Sequence, residues 1–159
     1  MEKNQKPLLW SLLALSTCLL GLGLFSLRSE AAATIVGGGA TRLAQLSQTV
    51  EGVPTLPLSI EGRRLLLDTC EKALQPSVPL VLRFASEEQL QMVVPYCERI
   101  AAQSVEASRV DGYAWLVLAM AQARKGDIKG AEENVIRSAQ LTPTEGWIAQ
   151  PRFALVQQH

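Results

Sequence analysis

Residues 112–127 read GYAWLVLAMAQARKGD. From Tyr113 to Ala123 the run carries no charge and a single amide, Gln122. It could be a second membrane span, a buried strand, or a helix in a soluble fold. As a helix, those eleven residues cover only about 16 Å, roughly half the hydrocarbon thickness of a bilayer. Asp111 precedes the run and Arg124-Lys125 follow it. Those charges have the signs that the two ends of a helix dipole favour. The alternation of a half-buried strand is absent. A heavily buried soluble helix is the reading that survives. Gly126-Asp127 then makes a turn, and Ile128 to Leu141 gives a second helix that ends at Leu141-Thr142-Pro143.

The stretch long enough to cross a membrane lies elsewhere. Leu8 to Leu27, LLWSLLALSTCLLGLGLFSL, is twenty residues without a charge. A helix of that length covers about 30 Å, a bilayer's hydrocarbon core. Lys3 and Lys6 precede it, while Arg28 follows close to Glu30. The positive-inside rule therefore expects residues 1–7 as a cytoplasmic tail, 8–27 as a signal anchor in the bilayer, and the rest outside the cytoplasm. A cleaved signal peptide is the rival reading, because Ser29-Glu30-Ala31 and Ala31-Ala32-Ala33 put small residues at cleavage-site offsets. The apolar core exceeds the usual 7–15 residues of a signal peptide, which favours the uncleaved anchor. Thr17 and Gly21 form a small-xxx-small pair in the span.

Residues 28–58 are expected to be a flexible linker, broken by Gly37-Gly38-Gly39 and extended at Val53-Pro54-Thr55-Leu56-Pro57. From Ser59 a helical period sets in, with a first helix expected over about 59–75. Leu80 to Phe84 is short-strand-like in composition but has no partner strand, so it is taken as a packed connector or short helix. Ser86-Glu87-Glu88-Gln89 is a capping box. The helix it opens meets Pro95, where it either kinks or gives way to a new helix. Thr142-Pro143-Thr144-Glu145 has the pattern of a second capping box, opening a last helix with Trp147 and Ile148. Pro151 kinks or restarts that helix. The fold class expected is all-α: a transmembrane helix plus a domain over 59–159 of about five helices.

Cys70 and Cys97 lie beyond the span, and an even pair in an oxidising compartment suggests a disulfide. Two buried free thiols are the alternative. A zinc cage is excluded by the absence of nearby histidine.

The hairpin resembles a tetratricopeptide repeat over about 112–143. Trp115 stands at the large first-helix position, and Leu118 and Ala119 match the leucine and small residue after it. Gly126 takes the turn, and Ala131 the small position where the helices approach. Val135 takes a large apolar position, Ser138 a small one, and Pro143 the terminal proline. Gln122 departs from the pattern, which has an aromatic there. Cys97 and Ala101 lie one 34-residue repeat length before Ala131 and Val135, so the helix around Pro95 is expected to serve as the second helix of a degenerate preceding repeat. What the resemblance implies is a stack of helical hairpins that binds other proteins.

Chemistry is hard to find. The net charge is +0, which gives no overall field for nucleic acid. The one histidine is His159, and no glycine-rich phosphate loop follows a strand. Glu87-Glu88, Glu132-Glu133, Arg63-Arg64 and Arg124-Lys125 are expected on the solvated surface. No enzyme, cofactor, metal or small-molecule substrate is expected. The expected function is a protein-protein interaction module anchored in a bacterial inner membrane, its domain periplasmic. It would be an adaptor or assembly factor with protein partners at that membrane and the bilayer itself contacted through 8–27. The Trp147-containing tail is similar to that of small anchored helical proteins of cell-surface polysaccharide systems. Trp147 is read as a cap residue or a partner-binding anchor. A structural subunit acting through its membrane helix, and an anchored hydrolase, are the rival functions.

Overall fold

A computed structural model describes residues 5–34, 56–75 and 87–157, with side chains described for 10–27, 56–75 and 92–157. All regular structure among them is helical. Helix α1 spans Gln5–Thr34, α2 Ile60–Leu74, α3 Glu87–Ala107, α4 Gly112–Lys125, α5 Ile128–Leu141 and α6 Gly146–Val156. The connector at Leu80 to Phe84, the glycine run and the serine of the first capping box lie outside the described residues.

α1 is 30 residues long. Its Trp10–Leu27 window is apolar and long enough to cross a bilayer. The helix runs on through residues 28–34, where the alanines of RSEAAAT are strong helix formers. The first part of the expected linker is thus helical. Thr17 Oγ1 donates to Leu13 O (3.0 Å) and Ala14 O (2.9 Å), so its hydroxyl is satisfied within its own helix.

α2 begins where the periodicity starts. Ser59 is its N-cap, its hydroxyl accepting from Gly62 N at 2.9 Å. α3 is one continuous helix across Pro95. The proline lies on the exposed face, and Tyr96 and Cys97 turn inward. Cys70 of α2 and Cys97 of α3 are disulfide-bonded and wholly buried, with Cα atoms 5.4 Å apart.

α4 is the centre of the domain. Ten of its 14 residues are buried, and it packs on α2, α3, α5 and α6. Asp111 starts it, with Oδ1 accepting from Tyr113 N (3.1 Å) and Ala114 N (3.2 Å). Gly126 ends it at φ 84°, a left-handed turn that favours glycine. Asp127 then caps α5, accepting from Gly130 N at 3.0 Å. Gln122 faces α5, where Asn134 Nδ2 donates to its Oε1 at 2.6 Å. An amide pair thus joins the two helices where an aromatic would otherwise fill the gap.

The second capping box does not form. Glu145, not Thr142, is the N-cap residue of α6, and no side chain caps that end. Thr142 instead closes α5, its hydroxyl donating to Ser138 O at 3.0 Å and accepting from Arg152. With its hydroxyl spent there, the chain makes a turn at 143–144 before helix resumes. α6 is continuous across Pro151.

Candidate functional site

The residues matched to a repeat fall on α4, on α5 and in the turns that follow them. Leu118, Ala119, Ala131 and Ser138 are buried, and Trp115 and Val135 pack partly buried against the core. Trp115 donates its indole N–H to Arg109 O at 3.0 Å, and the Arg137 guanidinium lies 5.9 Å from its ring centre. Gly126 forms the turn, while Pro143 is exposed after α5. Of the pairs expected on the surface, Arg124 and Lys125 are exposed, as are Glu132 and Glu133. Arg124 donates to Leu74 O (3.0 Å) and Gln75 O (2.7 Å), so it caps the end of α2. Lys125 pairs with Glu98 of α3 at 2.7 Å.

Where the start of α2, the α3–α4 turn and the α5–α6 turn converge, a groove of about 280 Å³ opens. Ile60, Arg63 and Arg64 form one wall, and Glu145 and Trp147 the other, with Tyr113 at its base. Trp147 is 52% exposed. It meets Tyr113 edge to face, ring centres 4.9 Å apart at 61°. Tyr113 is buried and donates to Glu71 Oε2 of α2 at 2.6 Å. Burial pushes its phenol up, and the Glu71 hydrogen bond pushes the same way. Tyr113 therefore stays a neutral donor and fixes the platform under the indole. Arg63 Nε donates to Ser59 O at 3.4 Å, while Arg64 is exposed.

A residue cluster that sequence reasoning missed holds the second wall in place. Arg152 of α6 is only 8% exposed. Its Nε donates to Ser138 Oγ (3.0 Å), and its Nη2 to Ser138 O (3.1 Å), Thr142 O (2.9 Å) and the Thr142 hydroxyl. Ser138 Oγ in turn donates to Gly112 O at 2.6 Å. A Cβ on Gly112 would come within 2.7 Å of Thr142 Cγ2, so only glycine lets the end of α5 close onto the start of α4. Burial lowers the pKa of Arg152, and Glu145 works against that shift. The guanidinium stays charged, set on the C-terminal carbonyls of α5 where a helix dipole favours a cation. The visible signal was that Arg152 is the only charge in GWIAQPRFALV.

Among the described residues no three His, Cys, Asp or Glu side chains come together as a metal site. The groove offers an aromatic edge, an aliphatic wall, two guanidinium groups and two carboxylates, Asp111 and Glu145. That set suits docking of a chain bearing apolar and charged side chains. Comparison with family models, curated proteins and solved structures gives no match to this chain.

Proposed function

We propose that the protein is a membrane-anchored protein-interaction module. α1 holds it in a bacterial inner membrane with its N-terminus in the cytoplasm, and the domain from α2 onward stands in the periplasm. There it works as an adaptor or assembly factor of an envelope complex, with cell-surface polysaccharide export or synthesis as its process, and not as an enzyme. The observation that carries this reading is the half-exposed Trp147 at the mouth of the groove, seated on a buried Tyr113 and flanked by Arg63, Arg64 and Glu145. Aromatic and arginine side chains at the centre of a cleft are what a protein interface uses as anchors. The buried Cys70–Cys97 bond supports an oxidising compartment. The way α4 packs on both α2 and α5 supports a stack of two hairpins of tetratricopeptide-repeat type, the first formed by α2 and α3.

The test is crosslinking capture from membranes, comparing the intact chain with Trp147→Ala. A partner enriched by the wild type and lost with Trp147→Ala is the expected result. Equal recovery of the same proteins by both would sink the groove as the docking site. Replacing α1 with an unrelated anchor separates this reading from a role in the membrane helix itself, because an adaptor keeps its partner after the swap.

A further inference from the structure

α6 is an inside-out helix. Its only charge, Arg152, points inward. Ile148, Arg152 and Leu155 make its buried face. On a second face, Gly146, Ala149, Phe153 and Val156 are all exposed, Phe153 at 64% and Val156 at 63%. Their spacing of three, four and three is the seam of a helix that packs against another helix. Space is open where Gly146 would carry a Cβ. The outermost layer of a helical stack normally turns a polar face to water. Here it turns an uncharged apolar seam.

The seam is graded in size, with small residues at its start and large ones at its end. We infer that it docks against α6 of a second copy of this chain, antiparallel, about a two-fold axis that crosses the seam midway between Ala149 and Phe153. That axis sets Phe153 opposite Ala149 of the other copy and Val156 opposite Gly146, so every large side chain meets a small one. A two-fold contact apposes a patch with itself, so charge on the patch would face like charge. This patch has none. A lipid surface is the poorer occupant, because a helix lying in a bilayer interface carries cations on its polar flank. The flanks here are Gln150 and Gln157, and the one cation is turned inward. An 11-residue helix face offers less than the roughly 800 Å² per partner of a standard interface. The pairing is therefore weak between free molecules and depends on the anchor, which confines copies to one membrane and raises their effective concentration.

The test places a photoreactive residue at Gln150 in the full-length chain in membranes, with a control at the exposed Glu132. The expected product is an adduct of twice the chain's mass from position 150 and none from position 132. Ala149→Phe sets large against large and Phe153→Ala sets small against small, so each alone loses the adduct. The double variant A149F/F153A restores it, because large again meets small. Both sites are exposed, and an intact Cys70–Cys97 bond reports that each variant is folded. An adduct of any other mass, a lipid adduct or no adduct overturns the proposal. A dimer adduct indifferent to these substitutions overturns the antiparallel seam.

Discussion

Helices α4 and α6 are alike in composition and opposite in fate. GYAWLVLAMAQARK is uncharged until its last two residues, and GWIAQPRFALV has a single charge. Ten of the 14 residues of α4 are buried, against three of the 11 in α6. The difference lies in their neighbours. Among the described helices, α4 has α2, α3, α5 and α6 around it, while α6 packs on α4 and α5. An apolar helix announces that something covers it, but not whether the cover comes from the same chain. α4 is the frame of the domain, and α6 is an outer layer with an exposed apolar face.

The largest effect should come from the clamp that lets α2 and α3 wrap α4. Joining residues 27 apart limits the unfolded chain by about 3.5 kcal/mol in the loop-entropy account. Cys70→Ala with Cys97→Ala should lower the unfolding free energy by about that much, read as an earlier urea midpoint. Next comes a direct contrast between the two helices. Leu116 of α4 is wholly buried, so Leu116→Ala should cost about 3 kcal/mol. Phe153→Ala in α6 removes a larger side chain yet should move stability by less than about 0.5 kcal/mol in the monomer. Equal losses in denaturant titrations would break the comparison.

Arg152→Met tests what holds the two helices together. It keeps only the aliphatic stem of the side chain and removes the guanidinium. Ser138 O still accepts from the Thr142 amide and hydroxyl, so Thr142 O is the acceptor left without a donor. An acceptor left without its donor costs about 1–3 kcal/mol, so a loss of about 2 kcal/mol is expected. Hydrogen exchange should rise at α6 and the end of α5 first. A uniform rise across α2 to α6 would mean that the arginine does not act locally.

Much of the frame was legible in the sequence, because it is written locally. Ser59, Asp111, Gly126 and Asp127 sit at helix ends whose start and stop signals lie within four residues. The apolar span is a matter of run length, and Cys70 and Cys97 are the two cysteines beyond it. The site was not legible, because it depends on long-range partners. Thr142 has the local pattern of an N-cap, yet Arg152, ten residues on, claims its hydroxyl. Arg124 is the surface cation expected, but its bonds to the end of α2, some fifty residues earlier, are not visible in its local sequence. The exposure of Trp147 follows from how far α6 is covered, which no window of sequence encodes.

A modest effect has the clearest signature. Tyr113 joins the frame to the outer layer, with Glu71 on one side and Trp147 on the other. Tyr113→Phe removes one hydrogen bond to a carboxylate that still accepts from Gln75 Nε2 at 3.0 Å. The expected cost is about 1 kcal/mol near pH 8. Burial, then the Glu71 contact, raises the folded pKa of this phenol above its ordinary value. A group with a raised folded pKa contributes fully below its unfolded pKa, about 10 for tyrosine, and loses that contribution as pH climbs above it. The wild type should therefore weaken above about pH 10. The phenylalanine variant should weaken less, keeping only the share of Tyr96, whose pKa burial also raises. Urea midpoints for the pair should converge between pH 8 and pH 11. A gap that stays constant would mean that Tyr113 does not titrate differently in the folded chain, and that its link between α2 and α6 is packing alone.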